Sequence, residues 1–523
     1  MHTHNKFKIV ISALSLIMII LCALPCTAQI DDNNQKLISA ACAGDIPALK
    51  DLLWKTSIEA KQKALIEAAR MGKIEVVRIL LHVLDDSSKP SANQALIFAV
   101  EMAGHHEKWL KIVEALLNWG ADPNDVRIVN NITPLMMAAD HGNISLVKML
   151  LGNCADVSAQ DADGHTALDW AEKHISAAIS RGDRSERETY KKIKELLDKN
   201  ICILKAPKLH IPADLPKEIR SEIERLYSPN PTERISAIGN LRKMGLAATP
   251  AVPFLVEILC DRNDIGKAGS DTLAAIGSPA VGLLINALND KRSCVRRNAA
   301  EALRKIDDPR IEDALIKALK DRNSFVRWSA SIYFSQKAST HAIPILIEAL
   351  KDEYPMVRQN AISALKKLKD PRAVKPLIVL LREDYNIYIL DWAVQGLYQI
   401  KADDQNTIAM LIQALKEKRG WVRRGAMAAL SNVSDPRIVD PLIEALRDMD
   451  RVVRDQATRK LGNMKDPRAI EPLIQALEKD YEIPRHVIAE ALTAITGEKL
   501  GEDPVKWRSW WEQTKRDAGK GIS

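Results

Sequence analysis

A segment of about thirty-one residues is written eight times into the C-terminal half of this 523-residue chain. The six-residue run Pro441-Leu442-Ile443-Glu444-Ala445-Leu446 has counterparts that begin at Phe254, Leu283, Ala314, Ile345, Pro376, Met410 and Pro472, in steps of 29, 31, 31, 31, 34, 31 and 31 residues. A fixed period of this size means that each unit buries its apolar face on its neighbours, which restricts the fold to a stacked, quasi-linear solenoid. Asp435-Pro436 and Asp466-Pro467 open their copies with an N-cap residue and a proline suited to the first helical position. Apolar residues at helical spacing follow, and a Val-Arg pair such as Val453-Arg454 starts a second apolar run. Each unit therefore reads as two antiparallel helices.

Aligned on that second helix, the copies run Arg296-Arg297-Asn298-Ala299, Arg327-Trp328-Ser329-Ala330, Arg358-Gln359-Asn360-Ala361, Leu390-Asp391-Trp392-Ala393, Arg423-Arg424-Gly425-Ala426, Arg454-Asp455-Gln456-Ala457 and Arg485-His486-Val487-Ile488. These residues resemble the short bacterial HEAT-like repeats first associated with phycobilisome lyases, over roughly residues 233–496. The resemblance implies an α-solenoid and does not imply lyase activity, because fold and function separate in this class. Four copies place an Asp six residues before the Arg: Asp290 and Arg296, Asp321 and Arg327, Asp352 and Arg358, Asp448 and Arg454. The spacing predicts a structural ladder in which each guanidinium bridges carboxylates of its own and the adjoining unit.

A different repeat occupies residues 34–200. Thr133-Pro134-Leu135-Met136-Met137-Ala138-Ala139-Asp140-His141-Gly142-Asn143 is followed by Val147 to Leu151 and then Ala155-Asp156, and Thr133 and Thr166 lie 33 residues apart. This closely resembles the ankyrin repeat, with four copies and part of a fifth. Two departures stand out. Met136 replaces the family's usual His, which removes a turn-bracing hydrogen bond, and Cys154 replaces the Gly that commonly takes a left-handed conformation, which should strain or shift that loop.

The remaining segments are read from composition. Lys6 and Lys8 precede the apolar run Ile9 to Leu24, and Cys26-Thr27-Ala28 offers small residues at a cleavage position, so residues 1–28 read as a secretory signal cleaved after Ala28. The mature chain then carries no membrane span. Its charge falls from +7 to +5 with the loss of Lys6 and Lys8, an excess too mild to point to nucleic acid. Cys42, Cys154, Cys202, Cys260 and Cys294 form an odd, scattered set, which argues against a disulfide framework or a zinc site while leaving one bridge open. Residues 201–232 hold five prolines and read as a linker, with a short helix over 217–227; they predict two separately folding arrays. Ser180 to Arg187 reads as a solvated charged insertion. In residues 497–523, Trp507, Trp510 and Trp511 share one helical face and read as a cap on the last unit's apolar edge.

No Gly-x-Ser-x-Gly, phosphate-cradling or His-Glu-x-x-His motif occurs in the sequence. His105-His106-Glu107 is the one tight His and acid cluster and reads as a solvated turn. No catalytic residue, metal or cofactor is expected. The stripe one, five and eight residues after the Arg position alternates in sign, from Arg297, Glu301 and Arg304 to Asp455 and Arg459, where a nucleic-acid channel would be uniformly positive. Protein or peptide is the better partner. The unit from Pro376 to Ile400 breaks its own pattern: Leu390 replaces the Arg, and Trp392, Tyr385, Tyr388 and Tyr398 crowd around it. With Trp328 on the same stripe, these aromatics are the candidate anchors. The sequence thus describes an all-α chain of two tandem helical-repeat solenoids, an ankyrin array followed by a HEAT-like one, acting as an exported, non-enzymatic scaffold. The alternative is an enzyme or enzyme subunit of bilin-lyase-like or other HEAT-fold type.

Overall fold

The computed structural model describes residues 32–104, 106–126, 129–200, 209–261, 263–400, 404–479 and 482–520. Residues 1–28, read above as a secretory signal, and His105 and Cys202 lie outside the described residues. Every periodic segment is a helix, and no strand occurs among the described residues. The local reasons are the ones expected of capped amphipathic helices. Ser57, Thr133, Asn143 and Thr166 accept hydrogen bonds from the open first turns of ankyrin helices, and Asp370, Asp435 and Asp466 do so in the HEAT-like units. In the recurring Asp-Pro-Arg run the guanidinium folds back on its own Asp, as Arg437 does on Asp435 at 2.6 Å.

Five antiparallel helix pairs build the first array, from Asp32–Ala43 with Ile46–Leu52 to Ala167–Arg181 with Arg184–Asn200. The charged stretch near Ser180 is no loop: Gly182, in the left-handed region at φ 70°, turns the chain directly between two helices. At Met136 the missing His is replaced by the thioether, whose Sδ accepts from the Thr133 N–H at 3.4 Å. Cys154 keeps the left-handed geometry in spite of its side chain, at φ 72°.

The second array starts with the Lys217–Arg225 helix. Its Ile219 and Ile223 are buried against the Pro231–Met244 helix, and Arg234 already pairs with Asp261 at 2.9 Å. Eight further pairs follow, from Val252–Glu257 to Arg485–Thr496. The last helix, Pro504–Lys520, lies on Ile470–Lys479, with Trp507 fully buried and its indole N–H donated to the Gly501 carbonyl. Arg508, Lys515 and the Trp511 indole converge on Glu471 and hold its carboxyl down at about 2, with the Lys515 and Arg508 hydrogen bonds the largest causes.

The two arrays share few contacts, as expected, and these gather at one seam. The C-terminal ends of three ankyrin helices, Ile74–Val83, Leu110–Trp119 and Ile144–Gly152, meet the first turns of four HEAT-like helices, Ser293–Leu303, Ser324–Gln336, Pro355–Leu368 and Ile387–Gln399. A helix end leaves carbonyls without partners, and here the other array supplies the donors. Arg358 donates to the His82 carbonyl at 2.7 Å, Asn386 to Val83 at 3.2 Å and Ser293 to Gly152 at 2.5 Å. Apposing helix C-termini with helix N-termini is also favourable electrostatically. Apolar contact completes the seam: Trp119 meets Tyr354 edge-on at 5.9 Å, and Gly120, at φ 115°, sits so close to Phe325 that a Cβ there would stand 2.9 Å from the ring.

Candidate recognition surface

The ladder residues line one edge of the HEAT-like array, and the ankyrin array faces the part of that edge around Arg358. Arg296 makes a fork on Asp321 at 2.6 and 2.9 Å, Arg327 on Asp352 at 2.6 and 2.8 Å, Arg358 pairs with Asp384 at 2.8 Å, and Arg454 with Glu482 at 2.9 Å. The carboxylate comes from the next unit only. The Arg's own unit contributes backbone instead, as Arg296 donates to the Asp290 carbonyl and Arg454 to the Asp448 carbonyl, at 2.9 and 2.8 Å. Asp448 receives Arg423 and Asp290 pairs with Arg292. Arg423 and Arg234 are ladder members without the Asp at six residues before them, because a carbonyl does that work and any residue supplies one.

Arg358 is the tightest member, with no exposed surface, and burial pushes its guanidinium pKa down against the pull of Asp384 and Asp352. Burial and the Arg358 charge push the neighbouring His82 imidazole down to about 4. At Leu390 the ladder breaks. The vacated carbonyl of Asp384 is taken by Arg419 from the next unit, which also donates to the Arg382 carbonyl and covers the Tyr385 ring at 5.0 Å.

The five candidate aromatics divide into two groups. Trp328, Trp392 and Tyr385 are half-buried against the core. Trp328 stands edge-on to Phe325 at 6.2 Å, and Trp392 lies under the Lys366 ammonium at 5.9 Å. Tyr385 lines a cavity of about 290 Å³ at the seam with His82 and Trp119. Tyr388 and Tyr398 are 61% and 49% exposed. They share a face of the Ile387–Gln399 helix with Asp391 and Gln395, at positions i, i+3, i+7 and i+10, and all four are exposed. No other second helix from Ser293 to Thr496 exposes all three of its corresponding stripe positions. Gln395 donates to Asp391 at 2.7 Å and accepts from Lys366 at 3.5 Å, so the polar part of this face is held in place. All five stand out in the sequence by type; exposure separates Tyr388 and Tyr398 from Tyr385 and the two tryptophans.

A second acid and His cluster is engaged in local structure. Asp161, Asp163 and His165 approach one another closely enough to share a cation. The Asp161 carboxylate, however, already accepts from the Asp163 and His165 backbone and the Trp170 indole, at 3.0, 2.8 and 3.0 Å, and braces the turn.

Comparison with known proteins agrees with this architecture. The family model for ankyrin repeats matches residues 37–127 and 110–180, and the model for HEAT repeats matches 281–336, 312–398 and 408–493. The chain is an ankyrin-repeat protein joined to a HEAT-repeat array. Among curated proteins it is similar to the ankyrin repeat, SAM and basic leucine zipper domain-containing protein 1 of Microcebus murinus, 35% identical over 127 residues, which is 23% of this chain and 26% of that one. The protein of the same name from Dasypus novemcinctus is 36% identical over 132 residues, 24% of this chain and 28% of the relative. The chain thus spans about a quarter of the length of these relatives. Ankyrin and HEAT repeats support a protein-interaction scaffold.

Proposed function

We propose that this ankyrin–HEAT protein is an exported, non-enzymatic scaffold that holds a protein or peptide on the face carrying Tyr388, Asp391, Gln395 and Tyr398. The observation behind this reading is that one helix exposes a full stripe containing two tyrosines, flanked by Lys366. Tyrosine combines a large apolar ring with a polar tip and costs little entropy to fix, which suits it to anchor a partner. Asp391 and Lys366 bring both signs of charge, which suits a peptide better than a phosphate backbone. Export rests on the cationic and apolar leader over residues 1–28, ending in Cys26-Thr27-Ala28.

The test uses the mature chain as bait against the native cell-envelope fraction. Tyr388→Ala with Tyr398→Ala should weaken capture of the partner about tenfold or more, the equivalent of about 1.4 kcal/mol, while the melting temperature stays in place. Undiminished capture would remove the site from this face. Colour or stoichiometric iron in the purified protein would instead favour an enzyme of HEAT fold.

A further inference from the structure

Three of the cysteines meet where the arrays meet. Cys154, in the loop after the fourth ankyrin pair, lies 3.5 Å from the Oγ of Ser293, the residue that precedes Cys294. The Cys294 thiol donates to Cys260 Sγ at 3.2 Å. Cys154 occupies the left-handed position that Gly120 fills one repeat earlier, so a side chain has been placed where the backbone disfavours one. Its loop also walls a cavity of about 190 Å³ with Gly120, Ser293, Arg297 and Phe325, while Cys294 is buried behind it.

We propose that Cys154, Cys294 and Cys260 form a thiol–disulfide exchange site, which takes a small aliphatic disulfide as oxidant and closes a Cys154–Cys294 bond that locks the ankyrin array onto the HEAT array. Cys154 is the attacking sulfur. The neighbouring Cys294 thiol and the charge of Arg297 lower its pKa against the opposing effect of burial, and the cavity gives it access. Its thiolate attacks one sulfur of the incoming disulfide, forms a mixed disulfide and expels one thiolate, which takes up the proton Cys154 has lost. Contact with Cys154 and Cys260 raises the pKa of Cys294 while all three are reduced. Once Cys154 is capped its charge is gone, and Cys294 loses its proton and attacks the Cys154 sulfur. The second thiolate leaves and is protonated in turn. Two protein thiols are oxidised, one external disulfide is reduced to two thiols, and no net proton is consumed.

The bond crosses the boundary between arrays, so cutting the chain between them reveals it. A protease site inserted in the mostly exposed stretch 209–216 separates Cys154 from Cys294 in sequence. After oxidation of the full chain with oxidised glutathione, alkylation and cutting, the two fragments should stay joined in denaturant and separate on addition of dithiothreitol. Cys154→Ser or Cys294→Ser should abolish the join, and Cys260→Ser should keep it. Non-reducing peptide mapping of the unsubstituted protein should recover the Cys154–Cys294 peptide pair, so the result does not depend on any variant folding. Fragments that part in denaturant after oxidation would overturn the proposal, as would a join that survives Cys154→Ser or a map showing only Cys260–Cys294.

Discussion

Two neighbouring stretches of the HEAT array carry aromatics in nearly the same register and meet opposite fates. Between Ser324 and Leu368, Phe325 and Tyr354 face the ankyrin helix ends, and Tyr354 is fully buried against Trp119. In the next unit, Tyr388 and Tyr398 stay in solvent although Asn386, two residues before Tyr388, is buried in the seam. The contrast shows that residue type alone does not mark a recognition surface in a solenoid. What lies opposite the edge decides whether an aromatic is buried or left in solvent. The ladder repeats the lesson: Arg358 has a second array in front of it, whereas Arg454 pairs with a Glu482 that is 84% exposed.

The largest expected effect compares those two arginines. Arg358→Ala strands the buried Asp384 carboxylate and the His82 carbonyl, and should cost about 3–5 kcal/mol in denaturant unfolding. Arg454→Ala should cost about 1–2 kcal/mol, because its acid partner remains in water. Equal losses would mean that the ankyrin array contributes nothing to the ladder.

Next in size is Gly120→Ala. The new methyl meets Phe325 at a left-handed backbone position, for a loss of about 1–3 kcal/mol. Adding Phe325→Ala should recover part of it, and the non-additivity of the double-mutant cycle is the signature of contact across the seam. Strict additivity would separate the two residues.

A smaller effect sharpens the division among the aromatics. Trp392→Ala should lower stability by about 1–2 kcal/mol through lost packing beneath Lys366, while Tyr398→Ala should stay within about 0.5 kcal/mol, as surface substitutions do. Thermal melts of the two variants compare them directly.

The last effect is a pH dependence. His82 is held at about 4 in the folded seam against an ordinary value of 6.5, so the unfolded or undocked chain binds the extra proton first. Its contribution to docking is therefore complete above about 6.5 and is lost as pH falls toward 4. Arg358 opposes that proton from the facing array, while Asp384 and Asp352 favour it. Protection factors at the Val83 and Leu84 amides, with the intrinsic pH dependence of exchange divided out, should fall over this window, and in a His82→Gln variant that fall should vanish.

Much of the architecture was legible in the sequence because it is periodic. The 31-residue step, the Asp-Pro starts and the Val-Arg pairs repeat often enough to identify helix, unit and stack. The ladder was legible only in part: a rule requiring Asp six residues before the Arg passes over Arg234 and Arg423, since backbone carbonyls carry no residue code. The seam left almost no mark. Its bonds join residues 276 and 303 positions apart, and each pairs one side chain with one carbonyl. Cys154 in a glycine position and Leu390 in an arginine position were its traces, visible as deviations whose cause lay in the other array or the next unit.

Whether the arrays form one docked body is tested most directly by cutting the chain within residues 209–216 under reducing conditions and sedimenting the product undenatured at neutral pH and low micromolar concentration. If the seam holds as described, the two fragments travel together as one particle with the mass of the intact chain, and Arg358→Ala releases them. Two independently sedimenting species from the unsubstituted protein would contradict it.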